Sequence, residues 1–448
     1  MKRIFTLLLS LCVLLLAGCG SDKSLNPDKP VSVTIWHVYG NQTNSPFNDL
    51  IDKFNASEGK KQGVIVKVES VSSSNVIDKA LYASAKGAPG SAPLPNMFTA
   101  YPRVIDNLED KLLDWNDYLT QDDLKIYKPE FLAEGYKGKK LYMLPIAKST
   151  ELLFLNQTFF DRFAAENNIN PADLGDYDKL FAICRQYYKW SGGKNMFQLD
   201  DFYNYYLTSM DSLGDPLIKN GKPDLTCPAF KRVFRAAAQT AIAGGLGIEK
   251  GYATDGWKTG ALISNVGSTA AIMYMCDYVT HPDNTREDII TNYYPNPVFS
   301  GGTVKLLQRG VGLLAIKSKD ERQNLACAVF AKWLAQKDKN IYFAVHAGYL
   351  PSNGEALTEV LAHPDMVHNA KYQKLYTCMQ QVYGKGSFLH LPHYPNAGET
   401  QRSLEYGSKN ILRQAHRQYL AEVQAGAEPQ AVLDRLVEES YQKLLTYK

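Results

Sequence analysis

Hydrophobic and polar positions divide this chain into an apolar leader, a polar connector and a long body of alternating strand and helix patterns. Residues 4–16 are apolar except for Thr6 and Ser10, follow Lys2 and Arg3, and lead into Ala17, Gly18 and Cys19. That order of a basic start, a short apolar stretch and small residues is the order of a secretory signal. The stretch falls short of the ~20 residues a helix needs to cross a bilayer. Residues 20–30 (GSDKSLNPDKP) are polar, contain two prolines and lack periodicity, so they read as a flexible connector. As a random coil such a segment spans roughly 18 Å.

The body opens β-α-β. Residues 31–36 alternate in a β-rich run, Phe47, Leu50, Ile51 and Phe54 repeat at helical spacing, and residues 64–68 form a second strand pattern. A helix over 74–85 carries Val76, Ile77, Ala80 and Leu81 on one face and is broken by Gly87, Pro89 and Gly90. A short strand at 97–99 precedes a charged helix near 105–113. Strands separated by helices predict an open α/β sheet, whose ligands sit beyond the carboxyl ends of the strands, here Trp36 to Tyr39 and Phe98 to Tyr101.

The middle of the chain is mostly helical, with helical spacing over 158–168, 177–190, 199–213 and 229–243. Gly244-Gly245-Leu246-Gly247 follows an alanine-rich helix instead of a strand, so it predicts a helix stop and not a nucleotide loop. Residues 313–316 read as a buried strand, and 325–334, 411–423 and 430–445 as amphipathic helices.

Composition narrows the function classes. At 448 residues the chain is long enough for two domains, and a formal charge of +3 that includes Lys2 and Arg3 gives no footprint for nucleic acid. Past the leader no apolar run approaches membrane length. Beyond Cys12 and Cys19 the cysteines are Cys184, Cys227, Cys276, Cys327 and Cys378, an odd number without a CxxC pair, which fits buried thiols with at most optional bridging and no zinc site. No GxSxG, HExxH or Walker loop is present. His390 and His393 flank Leu391-Pro392, where the proline opposes helical metal-ligand geometry, and the basic cluster Lys137, Lys139, Lys140 around Gly138 reads as a solvated hairpin. No metal, cofactor or catalytic set is expected. The 28 tyrosines permit a carbohydrate-type pocket, in which rings face sugar C–H groups and polar groups face hydroxyls.

Leu16-Ala17-Gly18-Cys19 resembles the lipobox of bacterial lipoproteins. The resemblance implies a signal peptide over 1–18, a lipidated tether over 19–30 with the lipid on Cys19, and a cell-envelope location outside the cytoplasm. Several further segments, in order along the body, resemble the extracellular solute-binding proteins of family 1, the receptors of ABC importers. They are Val33-Thr34-Ile35-Trp36-His37 with residues 47–55, Pro95-Asn96-Met97-Phe98-Thr99, the stretch from Leu141 to Asn156 (LYMLPIAKSTELLFLN), residues 257–268, residues 328–334, and Gly348-Tyr349-Leu350-Pro351.

That resemblance implies a periplasmic-binding-protein-like type II α/β fold, two lobes joined by a hinge of crossovers with a ligand cleft between them. The expected lobes are 31–148 plus 303–347 and 149–302 plus 348–448, with crossovers near Lys148, Gly301-Gly302 and Gly348. The expected function is capture of a sugar, polyol, glycerol 3-phosphate or glycerophosphodiester by lobe closure and delivery to a membrane permease, by a monomer. Ser149, Ser268, Gly302 and Tyr349 fall where glycerophosphate receptors place ligand contacts. Tyr39 is a further candidate, and Arg402 is the candidate arginine, with Arg413 competing. One departure stands out: where those receptors carry a tryptophan platform, this chain has Asn195-Met196-Phe197-Gln198-Leu199-Asp200-Asp201-Phe202. A secreted glycoside hydrolase is the alternative and requires two facing carboxylates about 5 to 10 Å apart. A surface-scaffold lipoprotein would instead lack a small-molecule cleft.

Overall fold

A computed structural model describes residues 24–39, 45–249, 251–392, 394 and 396–447, so the leader, Cys19 and His393 lie outside the described residues. Two five-stranded sheets carry the body. The first runs in the order Val64–Val71, Val31–His37, Met97–Ala100, Gly312–Ala315, Leu144–Pro145; its first three strands are parallel, and Gly312–Ala315 runs antiparallel to both neighbours. The second runs Leu246–Gly247, Phe197–Leu199, Ser264–Ser268, Glu151–Asn156, Thr291–Pro295, parallel at one end and antiparallel at the other.

Each sheet is covered on both faces, which explains why several strands read as continuous apolar runs. Along Glu151–Asn156, Leu153 and Leu155 face a core with Phe197, Phe234 and Leu436, while Leu152 and Phe154 face another with Trp257 and Tyr376. Alternate side chains of a strand point to opposite faces, so a strand between two helical layers is apolar at every position. The first sheet repeats this, with Val33 and Ile35 packed toward Phe54 and Trp333, and Trp36 and Phe98 packed toward Ile77 and Leu81.

Most elements match the sequence periodicity. The helices Ser74–Ala85 and Tyr177–Trp190 keep the expected ends. Gly244 and Gly245 take positive φ and stop the preceding helix. Three expectations change. The helix expected near 105–113 is a series of short turns, Pro102–Val104, Ile105–Leu108 and Glu109–Lys111. The helix expected over 199–213 becomes the strand Phe197–Leu199 followed by the helix Phe202–Ser212, because Asp201 caps the helix by accepting from the Asn204 N–H. The segment expected to be a free tether is partly docked: Leu25 packs on the first core, and Arg322 donates to the Lys29 carbonyl.

The chain passes between the sheets three times, and the three passages lie side by side. Ala147–Lys148 pairs antiparallel with Leu350–Pro351, and Ser149 and Arg309 exchange both backbone hydrogen bonds at 2.9 Å. Gly310 follows at φ +121°, where an added Cβ would stand 2.7 Å from the Ala147 carbonyl oxygen, so this close approach requires glycine. The middle passage therefore runs through residues 308–311. The sequence expectation near Gly301-Gly302 lies upstream of it, because Lys305–Leu307 still pairs with Ser387–Leu389 and Lys305 still binds Asp211 on the second-sheet side. No helix among the described residues is long and apolar enough to cross a membrane. The five described cysteines form no disulfide with one another.

Candidate functional site

The passages bring together groups from far apart in the sequence. Strand Val31–His37 ends one residue before Val38-Tyr39, and the Tyr39 ring packs edge-on against Phe343 at 4.9 Å and Tyr349 at 5.9 Å. Tyr349 is set by Gly348, which ends the helix Lys337–Ala347 in the left-handed region at φ +68°. Its ring stacks on Phe343 at 5.7 Å. The Tyr39 hydroxyl is fully buried and has no hydrogen-bond partner among the described residues. Behind it, the Tyr39 N–H donates to His37 Nδ1 at 3.1 Å, which leaves the ring proton on Nε2 to meet Asn48 Oδ1 at 2.9 Å. Burial lowers the His37 pKa to about 4, against a smaller upward pull from the Asn48 bond.

Arg309 occupies the centre of the cluster. Its Nη1 lies 3.0 Å from Glu151 Oε1, and the same oxygen accepts from Asn204 Nδ2 at 2.7 Å. Neither Glu151 Oε2 nor Arg309 Nη2 hydrogen-bonds to a described residue. Tyr101, Tyr252 and Tyr349 all stand within electrostatic reach of the guanidinium. Burial works against the Arg309 charge, yet Tyr101, Glu151, Asp201 and Asp200 together hold its pKa above the ordinary value. Burial pushes the Glu151 carboxyl up to about 7, with Arg309 opposing and Asp201 and Asp200 adding to the rise. Asp200 rises to about 6, again by burial first, while its oxygens accept from Ala253 N–H at 3.2 Å and Asn265 Nδ2 at 3.3 Å.

The second-sheet side is shaped by the long helix Ala397–Gln424, which faces the Asp200-Asp201-Phe202 turn. Gln401 donates to Asp201 Oδ2, Glu405 accepts from the Phe202 N–H, and Lys409 binds both Glu405 and the Asp200 carbonyl. Three exposed rings border the same region: Tyr252 at 75 %, Tyr406 at 56 % and Tyr274 at 47 % exposure. Carboxylates, one guanidinium and several aromatic rings thus gather where the chain passes between the two sheets. Such a surface binds hydroxyls through paired donors and acceptors and packs rings against C–H faces.

Of the residues expected from sequence, Tyr39, Ser149 and Tyr349 lie at this cluster, Ser149 through its backbone pairing with Arg309. Ser268 lies opposite Glu151 in the second sheet, and its hydroxyl accepts from the Ala270 N–H. Gly302 is not brought to the cluster. It packs on Ser212, at the far end of the helix Phe202–Ser212 from Asp200 and Asp201, and an 11-residue helix is about 16 Å long. Arg402 is exposed, one turn before Tyr406 on its helix, and makes no ion pair with a described residue; Arg413 instead binds the Ile248 carbonyl. The arginine of the cluster is Arg309, which sequence reasoning missed, along with Glu151, Asp200 and Tyr252; Tyr101 lies at the strand end that the sequence marked. The Asp200-Asp201 pair was visible only as a departure from the expected tryptophan platform. No group of described His, Cys, Asp and Glu residues forms a metal site.

Comparisons with known proteins bear on the fold and the family. A binding protein from Listeria monocytogenes in complex with cycloalternan superposes with a TM-score of 0.67 at 12 % identity, covering 94 % of this chain and 100 % of that one. One from Mycobacterium tuberculosis in complex with glycerophosphocholine gives 0.66 at 15 % identity, covering 93 % and 98 %. One from Agrobacterium radiobacter in complex with ribitol gives 0.63 at 19 % identity, covering 92 % and 100 %. At these identities the likeness establishes the fold, the two-lobed type II architecture of periplasmic binding proteins. No curated protein sequence matches the chain. The family of bacterial extracellular solute-binding proteins, whose members bind solutes and are not enzymes, matches residues 49–373. With most of its length matched and its rings and charges gathered where two lobes meet, the chain belongs to the bacterial extracellular solute-binding proteins.

Proposed function

We propose that this protein captures a sugar or polyol between its two lobes and hands it to the permease of an ABC importer. The observation that carries the reading is the placement of Arg309: it sits on a passage between the sheets, with Tyr39, Tyr101 and Tyr349 on one side and Glu151, Asp200 and Tyr252 on the other. A solute touching both sides gains its full set of contacts only when the lobes close, so binding shifts the hinge toward the closed state. The lobes meet at residues 147–151, 308–311 and 348–352. The lipobox-like Cys19 holds the monomer to a membrane of the cell envelope, where the permease is within reach. Glycerophosphate-type solutes belong to the same family pattern.

Small-angle scattering with and without maltotriose, ribitol and glycerol 3-phosphate tests the reading. Compaction with at least one solute, and no consumption of it, is the expected result. Turnover of the solute, or tight binding without compaction, would count against a closing receptor.

A further inference from the structure

We propose that Glu151 sets the charge selectivity of this cleft, committing Arg309 to a carboxylate so that the site takes uncharged polyhydroxylated solutes and turns away phosphorylated ones. The inference rests on the receptor reading above and narrows its solute class.

The cations in the cleft are already paired with carboxylates, without an anionic ligand. Arg309 is bound to Glu151, and Asp200 and Asp201 lie within its electrostatic reach. A second cation, Lys409, is bound to Glu405 and to the Asp200 carbonyl. Four carboxylates therefore surround two cations, and Glu151 remains hard to ionise even with a guanidinium at 3.0 Å. A phosphate dianion entering here either shares Arg309 with Glu151, beside Asp200 and Asp201, or displaces Glu151 and leaves a buried carboxylate without its cation, and both arrangements are opposed by like charge.

A hydroxyl-rich neutral solute meets no such conflict. Each hydroxyl donates to one group and accepts from another, so one hydroxyl can bridge Glu151 Oε2 and Arg309 Nη2 while the ion pair stays intact. Buried polar atoms nearby point the same way: the Tyr39 hydroxyl, Thr150 Oγ1, Asn204 Oδ1 and Asn265 Oδ1 have no partner among the described residues. All four are uncharged, suited to hydroxyls.

The test is calorimetric titration of the full mature chain and of Glu151→Gln with neutral pentitols, hexoses and maltooligosaccharides, and separately with glycerol 3-phosphate, glycerophosphocholine and inorganic phosphate. The wild type is expected to bind a neutral solute at least about 100-fold tighter than any phosphate compound. In Glu151→Gln the neutral solute weakens by about tenfold or more, while glycerol 3-phosphate binding strengthens because the guanidinium is released. A merely structural Glu151 would weaken both together, and that parallel loss overturns the proposal. Wild-type binding of glycerol 3-phosphate or glycerophosphocholine as tight as any neutral solute also overturns it and leaves the receptor reading standing. Silence toward both groups of solutes overturns the receptor reading and this inference with it.

Discussion

Arg309 and Glu151 meet at 3.0 Å between the two sheets, one residue contributed by the passage at 308–311 and the other by the strand Glu151–Asn156. Their side chains are 23 % and 4 % exposed, so each depends on the other to remain charged in a poorly hydrated place. Breaking such a pair by removing one partner costs about 3 to 5 kcal/mol, more than the pair contributes as a whole. Arg309→Met is expected to lower unfolding stability by about that amount, and the double variant with Glu151→Gln to recover a large part of the loss. Chemical denaturation of the four proteins measures the coupling. Additive losses would show that the two side chains act independently.

Lys148 forms a second buried pair at the hinge. It is fully buried on the strand that leaves the first sheet, and it binds Glu134, whose other oxygen meets His390 Nδ1 at 3.3 Å. Burial pulls the Glu134 pKa upward, but Lys148 and His390 together hold it below the ordinary value. Lys148→Met strands that carboxylate, and a loss of about 3 kcal/mol or more in urea denaturation is expected. His390→Ala, at a half-exposed position, is expected to cost less than about 1 kcal/mol.

His37 gives the protein a specific acid sensitivity. Its folded pKa is about 4 and its unfolded value about 6.5, so between those values the unfolded chain binds the extra proton. Stability present above pH 6.5 is therefore lost as the pH falls toward 4. Glu151 and Asp200, with raised folded pKa values, act in the opposite sense and cost stability as the pH rises through their window. His37→Gln isolates the first effect: its stability difference from wild type should change by about 2 to 3 kcal/mol between pH 7.5 and 4.5. A pH-independent difference would rule out a neutral buried imidazole.

The Tyr39 hydroxyl separates stability from binding. Buried without a partner among the described residues, it is expected to destabilise the solute-free protein by about 1 kcal/mol or more relative to phenylalanine. Tyr39→Phe should therefore melt at the same temperature as wild type or higher, yet bind the solute more weakly. Unchanged affinity would remove Tyr39 from the cleft contacts, leaving it a packing role against Phe343 and Tyr349.

Cys19 decides attachment. Cys19→Ala is expected to move the protein from the membrane to the soluble fraction on cell fractionation, with solute binding intact. A variant that stays with the membrane would sink the lipid-anchor reading.

The fold was largely legible in the order of residues, and the binding site was not. Periodicity marked the helices Ser74–Ala85 and Tyr177–Trp190 and the opening β-α-β because helices and strands are set by hydrogen bonds and burial repeats among chain neighbours. Family-like segments brought Tyr39, Ser149 and Tyr349 forward for the same reason, since each sits in a short run with its own pattern. Arg309 had no such run: it lies between a three-residue strand and Gly310, and only its pairing with Ser149, far back in the chain, carries it to the hinge. Gly302 and Arg402 looked equally suitable in one dimension, but a helix length separates Gly302 from the aspartates and Arg402 projects to solvent. Local spacing in the sequence thus determined the opening strands and helices of the first sheet and the place of its ring-bearing strand ends, whereas the second sheet, in a stretch whose spacing read as mostly helical, was expected only through the family-like segments. Which charges meet there, and that the carboxylates outnumber the cations, was decided only where three distant passages cross, because electrostatic pairing depends on distance in space and not on distance along the chain.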